Sequence, residues 1–146
     1  MPRFFTLVEA RRMLPRVRTL VEHAIESKSQ YEDCAQRSEH LMRRIMISGG
    51  LNVDRGSAAL NRDLQNRSGE RLKSSVDEIH EAGVIVKDLD VGLIDFPTLL
   101  KGSEVYLCWR LGEDDVRYWH GVHEGFAGRK TIDDEFIANH SGGTEE

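Results

Sequence analysis

The chain has 146 residues, of which 39% are hydrophobic and 31% charged, and its formal net charge is −5 at pH 7. This length suits one core, so we expect residues 1–146 to form a single domain. The acidic excess argues against a nucleic-acid partner, and the lack of any run of 18 apolar residues argues against a membrane partner. Two distant cysteines and no apolar export signal predict free thiols in a cytoplasmic protein.

A long helix is predicted over residues 6–47. Thr6 and Glu9 have the spacing of a capping box at its start. Apolar or small residues then recur at spacings of three and four, first at Leu7, Ala10, Leu14, Val17, Val21 and Ala24, and more weakly as far as Ile45. This spacing is typical of a seam that packs along another helix. Pro15 removes one helical hydrogen bond, so we expect a break or kink at residues 12–15.

A second helix is predicted over residues 57–82. Its apolar stripe consists of Leu60, Leu64, Leu72, Val76 and Ile79, and Gly83 supplies the C-terminal stop. The short glycine-rich connection predicts that the two helices form an antiparallel hairpin.

The hydrophobic period then changes from 3.6 to 2, which predicts an antiparallel sheet over residues 84–120. The predicted strands are 84–86, 92–96, 104–110 and 116–120, with Pro97 ending the second. Connections of about five residues at 98–102 and 111–115 favour hairpins.

The predicted fold class is α+β: a long antiparallel two-helix hairpin, kinked near Pro15, packed on a small antiparallel sheet of three or four strands. We expect residues 121–140 to be irregular and residues 141–146 to form a disordered tail.

The apolar pattern selects the register of the sheet, because a one-residue slip sends every side chain to the opposite face. One face should carry the apolar residues Ile94, Phe96, Val105, Leu107, Trp109 and Trp119. This is the face that we expect the helical hairpin to cover.

The opposite face should place Asp95, Tyr106 and His120 in or near one row across three strands. Aspartate is unusual inside a strand and costs free energy when buried without a partner. A histidine and a carboxylate on a rigid sheet can hold a divalent metal ion or orient a base, and Glu124 is a further candidate ligand. The competing interpretation is a structural hydrogen-bonded network, which resembles a functional one.

The segment from Tyr118 to Lys130 contains histidines, glycines and cations in close succession. Its H-x-x-H-E order differs from the helical motifs of metalloproteases, and its glycines favour a loop. With Tyr106, Arg129 is a candidate ligand-binding residue, since a guanidinium grips anions in bidentate fashion. Cys108 has no helix start or cation pair nearby to activate it, so an inert thiol is expected. No nucleophile–base pair emerges, so the residues assign no reaction.

Several blocks of the sequence resemble those of a known family. They are Phe5-Thr6-Leu7, Lys87-Asp88, Gly92-Leu93-Ile94-Asp95-Phe96-Pro97, Glu104-Val105-Tyr106-Leu107-Cys108-Trp109, Tyr118-Trp119-His120 and Gly125-Phe126-Ala127-Gly128-Arg129. Over about residues 4–132 the chain resembles an uncharacterised bacterial family, domain of unknown function 2203. The resemblance implies a small soluble bacterial protein without an established activity. The family often has an acidic residue at the position of His123, which favours His120 as the functional histidine.

Two hypotheses follow for the function. The first is a small binding protein whose metal- or small-anion-binding site uses Asp95, Tyr106, His120 and Glu124. The second is an oligomerisation or protein-interaction module that acts through the helical hairpin and has no small-molecule site; a homo-oligomer fits this second hypothesis.

Overall fold

The computed structural model describes residues 3–49 and 55–143. Helix α1 spans Leu7–Ser48 and helix α2 spans Arg55–Glu81, within two residues of the predicted bounds. The predicted loop after Gly49 lies mostly outside the described residues. The capping box is present: Thr6 N–H donates to Glu9 Oε1 at 2.8 Å, and Glu9 N–H donates to Thr6 Oγ1 at 3.1 Å.

Of the break or kink expected near Pro15, the break is wrong, because α1 continues through this residue without interruption. Pro15 is exposed, while Leu14 and Val17 on either side of it are buried. A single missing backbone hydrogen bond at an exposed position is offset by the packing of the buried face.

The sheet is larger than the predicted three or four strands and is antiparallel throughout. Its strands are β1 Ile85–Asp88, β2 Leu93–Leu100, β3 Ser103–Arg110, β4 Tyr118–Gly121, β5 Lys130–Thr131 and β6 His140–Ser141. The order is β1-β2-β3-β4-β5, and β6 pairs with the free end of β2.

The segment 121–140, predicted to be irregular, contains three regular elements. They are a short 3-10 helix at Phe126–Gly128, strand β5, and helix α3 at Asp134–Asn139. The predicted disordered tail begins at Ser141, yet this residue pairs with Leu99 in β6. The last part of that tail, residues 144–146, lies outside the described residues.

Pro97 does not end the second strand as predicted. Its carbonyl accepts a hydrogen bond from Phe5 N–H at 2.7 Å, so this side of β2 faces away from β3. Here β1 pairs only as far as Asp95 and β6 pairs only from Leu99, so no strand needs the missing N–H of proline. The predicted five-residue loop is therefore a two-residue turn whose residues, Lys101 and Gly102, both have positive φ.

The predicted register of the apolar face is confirmed. Ile94 pairs with Trp109, Phe96 pairs with Leu107, and all four side chains are fully buried. Helix α1 covers this face, since the Arg18 guanidinium lies 5.6 Å from the centre of the Trp109 ring.

The chain forms two compact units, Met1–Glu22 with Val76–Glu146, and His23–Ser75. The first contains the sheet with the adjoining helix ends. The described residues of the second unit belong almost entirely to the remaining parts of α1 and α2. These parts contact each other directly: Asn61 Nδ2 donates to Cys34 O at 3.0 Å, and Ser68 Oγ donates to Gln30 Oε1 at 3.3 Å. These two contacts run in opposite chain directions, which confirms the antiparallel hairpin.

The predicted apolar stripe of α2 is partly wrong. Leu60 is 72% exposed, whereas Ser68 and Ser75 are buried. The face of α2 that meets α1 in the second unit is therefore more polar than the sequence pattern indicated. Among the described helices, none is both long and apolar enough to cross a membrane.

Candidate metal centre

Three neighbouring strands bring Asp95, Cys108 and His120 together on the face opposite Trp109. His120 Nε2 lies 3.1 Å from both Oδ1 and Oδ2 of Asp95. One carboxylate oxygen, the Cys108 sulfur and one imidazole nitrogen all lie within 4.8 Å of one another. We call these three residues the Asp–Cys–His cluster.

The cluster differs from the predicted row by a shift of two residues along β3, which keeps the same face of the sheet. Asp95 pairs directly with Cys108, while His120 pairs with Tyr106. The imidazole therefore reaches diagonally across β3 to the carboxylate, and Tyr106 packs beside it with ring centres 5.5 Å apart. Sequence reasoning brought Asp95 and His120 to the same face but left out Cys108 as a ligand.

All three side chains of the cluster are buried. A buried carboxylate without a compensating charge or hydrogen bond costs several kcal/mol, so its partners decide what the group does. Asp95 faces the imidazole and the thiol, and this enclosed arrangement strengthens their mutual electrostatic interaction.

The hydrogen-bond partners of His120 indicate which of its two ring nitrogens carries a hydrogen. Nδ1 lies 2.8 Å from the carbonyl oxygen of Gly121, which only accepts hydrogen bonds. Nδ1 therefore carries a hydrogen, and in the neutral ring Nε2 then presents a lone pair. That nitrogen lies 3.1 Å from both oxygens of the Asp95 carboxylate, so the two groups are placed to share a bound cation.

The Cys108 thiol is strongly held in its protonated form. Burial and the negative charge of Asp95 raise its pKa to about 12, against the opposing effect of the Arg129 cation. Alternation along β3 places Cys108 on the face of Asp95 and His120. This alternation could have indicated Cys108 as a candidate ligand from the sequence. The indication becomes specific only when the register, which pairs Cys108 with Asp95, is known.

Glu124, predicted as a further ligand, has other partners in the structure. Its Oε1 accepts from Gly121 N–H and from Lys130 Nζ, each at 2.6 Å. These contacts hold the pKa of the carboxyl below its usual value, the ammonium contributing most. The backbone N–H of Glu124 also donates to the Gly121 carbonyl at 3.1 Å, so Glu124 holds Gly121, the residue whose carbonyl accepts from His120, through both of its backbone groups.

Arg129 lies beside the cluster, stacked between two aromatic rings. Its guanidinium carbon is 4.1 Å from the centre of the Tyr118 ring and 4.5 Å from that of Phe126. Nη2 donates to Glu113 Oε1 at 2.7 Å and to the Cys108 carbonyl at 3.3 Å. The side chain thus ties the segment after β4 to the strand that carries Cys108.

Tyr106, predicted to bind a ligand, is buried next to His120. Burial raises the pKa of its hydroxyl, as do a hydrogen bond to Glu104 and the charge of Asp95. The ammonium of Lys87 lies 5.2 Å from the centre of its ring. Tyr106 thus remains a neutral hydroxyl at neutral pH.

A cleft of about 460 Å³ lies elsewhere in this unit. Its lining includes Leu100, Lys101, Trp119, Lys130 and Phe136, and no residue of the Asp–Cys–His cluster contributes to it. We base the candidate site on the cluster, because the cluster is where the chemically reactive side chains converge.

Comparisons with known proteins locate the cluster within a family. No curated protein and no solved structure matches the chain. A family profile matches residues 3–132, a range that includes α1, α2, β1 to β5 and all three cluster residues but neither α3 nor β6. The chain therefore belongs to the family described as Uncharacterized conserved protein (DUF2203).

Proposed function

We propose that this protein binds a transition-metal ion of the zinc class through Asp95, Cys108 and His120. The observation that carries the proposal is the position of His120 between two hydrogen-bond acceptors. The Gly121 carbonyl accepts a hydrogen bond from Nδ1–H, and this contact orients Nε2 toward the carboxylate. Orienting a ligating imidazole through a backbone carbonyl is a common arrangement in metal sites.

The donor set favours a borderline-soft metal. A thiolate, an imidazole nitrogen and a carboxylate oxygen all bind Zn²⁺, with ligand distances of about 2.0 to 2.3 Å. Mg²⁺ and Ca²⁺ prefer oxygen ligands alone, so they suit this set poorly. The 3.1 Å between Nε2 and each Asp95 oxygen is a separation that two ligands of one such ion adopt with little movement.

The surrounding residues support the ligands. Arg129 places a positive charge near Cys108, which favours the thiolate that a metal requires. Glu124 holds Gly121 in place and so holds the imidazole indirectly. Tyr106 packs against the imidazole ring. In this proposal Tyr106, Glu124 and Arg129 support the site, and Asp95, Cys108 and His120 are the metal ligands.

Nucleophilic catalysis by Cys108 is a weaker interpretation of the same residues. A catalytic thiol needs a base that accepts its proton. Both nitrogens of His120 already face other acceptors, and the pKa of Cys108 is raised rather than lowered. Cys108 is also fully buried, out of reach of a substrate.

Cobalt binding tests the proposal, because Co²⁺ bound by a thiolate gives a charge-transfer absorption band. The chain should be purified without a histidine tag, stripped with a chelator and titrated with Co²⁺ and Zn²⁺. We expect one ion per chain and a thiolate band. Cys108→Ser should abolish the band and weaken binding at least about 100-fold, beyond the usual effect of losing a residue that only supports a ligand.

Cys34→Ser is the matched control, since Cys34 is the other buried free cysteine and lies in the second unit. This variant should bind like the unmodified chain. If no metal binds at micromolar concentrations, or if both cysteine variants bind equally well, Asp95 and His120 form a structural ion pair and the proposal is wrong.

A further inference from the structure

The second unit, His23–Ser75, buries small side chains and exposes several large apolar ones. Its described buried residues are all small: Ala24, Ser27, Cys34, Ser68 and Ser75. In contrast, Met42, Met46 and Ile47 are exposed. In the described part of this unit no large apolar side chain is fully buried, and Leu64 and Leu72 are half-buried. The apolar core between the two helices is therefore smaller than the core that normally stabilises a helical bundle.

Side-chain hydrogen bonds join the two helices in this unit. Asn61 Nδ2 donates to Cys34 O and to Ser38 Oγ, while Arg37 donates to Asn61 Oδ1. Such hydrogen bonds specify how the helices align, but each contributes little net stability. The apolar side chains that would add stability lie on the flank of the hairpin.

A groove runs along this flank, with a volume of about 620 Å³. Its apolar lining includes Leu41, Met42, Ile45 and the small residues Ala58 and Ala59. Arg55 and Arg62 also line it. Small residues on one helix beside large ones on the next produce the depression into which side chains of another helix pack.

We infer that a second copy of this chain covers the groove, so that two hairpins associate as a four-helix arrangement. The dimensions agree with this occupant. The 26 residues from 23 to 48 measure about 39 Å along the helix axis. The part of α2 in this unit, residues 55–75, measures about 31 Å, so a face with about 10 Å of width for each helix presents about 700 Å², against the roughly 800 Å² that each partner buries in a stable complex.

The charges of this unit do not oppose self-association strongly. Residues 23–75 contain nine Lys or Arg and seven Asp or Glu, an excess of two positive charges. Opposite charges are interspersed, as in the ion pairs Glu39–Arg43 and Asp63–Arg67. Two copies therefore meet without the strong repulsion of surfaces that carry a single sign.

Sedimentation velocity and light scattering test the inference with the full chain. At tens of micromolar, the particle in solution should have about twice the mass of one chain, which is 16.6 kDa. The double variant Met42→Glu with Met46→Glu should weaken association at least tenfold. Val8→Glu is the matched control, because Val8 is 57% exposed and Met42 58%, yet Val8 lies in the first unit.

Far-UV circular dichroism must show the same helix content in all three proteins. As a second measurement, the urea midpoint of the unmodified chain should rise with protein concentration, because dissociation accompanies unfolding. A monomer at all concentrations, or a dimer that persists in the double variant, overturns the inference. The Asp–Cys–His cluster lies in the first unit, so neither outcome affects the metal proposal.

Discussion

The backbone N–H of Leu7 donates a hydrogen bond to Nε2 of His140 at 2.9 Å, although 133 positions separate the two residues. Leu7 begins α1, so its N–H is one of the donors that a helix leaves without an internal partner. His140 Nδ1 lies 2.8 Å from the carbonyl of Ile137, which fixes the hydrogen on Nδ1 and leaves Nε2 as the acceptor. A residue beyond the range of the family match thus caps the longest helix of the fold.

His140→Ala should therefore lower the free energy of unfolding by about 1–2 kcal/mol. The change removes the acceptor for Leu7 and the stacked contact with Phe136, whose ring centre lies 5.3 Å away, and losses of helix caps have this size. Urea denaturation measures the change. The exposed His123 provides the control, and an equal effect of His123→Ala would contradict a capping role.

Two leucines test the assignment of the core. Leu107 is fully buried on the apolar sheet face, whereas Leu60 is mostly exposed on α2. Leu107→Ala should cost about 2–5 kcal/mol, as cavity-forming changes do, while Leu60→Ala should change stability by less than about 0.5 kcal/mol. Urea midpoints for the pair give the comparison. Similar losses in both variants would show that the core is misassigned.

The sequence predicted those parts of the fold that repeat locally. Alternation along β2 and β3 separated Ile94 and Trp109 from Asp95, because burial of one face fixes the parity of every strand. Strand β5, helix α3 and strand β6 have two to six residues each, too few for a period to emerge. Their positions depend on tertiary contacts such as Leu7 with His140, which no local pattern encodes.

Only part of the candidate site was predicted, because the sequence pattern indicates the face of each side chain but not its exact partner on the next strand. Parity placed Asp95 and His120 on one face, but the direct opposition of Asp95 and Cys108 depends on the two-residue turn at Lys101 and Gly102. A strand that continues through Pro97 was not predicted, because proline usually ends strands. Without the pairing of Asp95 with Cys108, the sequence offered no reason to select Cys108 as a ligand.

From the raised pKa of the Cys108 thiol we predict how the stability of the metal-free protein changes in alkali. Its pKa of about 12 in the folded state exceeds the ordinary value of 9.0, so the folded chain holds this proton more tightly than the unfolded chain. The resulting stabilisation is complete below about pH 9 and is lost as the pH rises from 9 towards 12. Cys108→Ala should flatten the fall in stability over this range, measured by urea denaturation at several pH values.

Cys34→Ala is the control for this measurement, because other groups also titrate in alkali and only the difference between variants isolates Cys108. The Cys34 variant should retain the full alkaline loss of stability. An unchanged slope in Cys108→Ala would contradict the assigned environment of the thiol.

Glu124 tests whether the segment after β4 supplies a ligand or only supports one. Glu124→Ala removes the acceptor for Gly121 N–H, so the imidazole of His120 should be held less firmly and Co²⁺ affinity should fall about tenfold. The cobalt spectrum should keep its shape, because the ligands are unchanged. Glu135→Ala, at an exposed position in α3, should have no effect. A changed spectrum in Glu124→Ala would instead make Glu124 a ligand.

The same contacts give an acid dependence. The pKa of Glu124 lies below its ordinary value of 4.5, mainly because of the Lys130 ammonium. A carboxyl with a depressed pKa stabilises the fold above its ordinary value, and this contribution disappears as the pH falls through the folded value. The unmodified chain should therefore lose more stability than Glu124→Ala between neutral pH and about pH 3, as thermal melts at each pH would show.

Proton release on metal binding tests the cluster as a whole. In the metal-free protein Cys108 holds a proton, because its pKa of about 12 keeps the thiol protonated at pH 7. Because a bound metal replaces protons on its ligands, each Co²⁺ should release at least the Cys108 proton. Calorimetry in buffers of different ionisation enthalpy counts the protons released. Cys108→Ala should release about one proton fewer than the unmodified chain and Cys34→Ala the same number, whereas a count near zero in the unmodified chain would mean that the metal binds elsewhere.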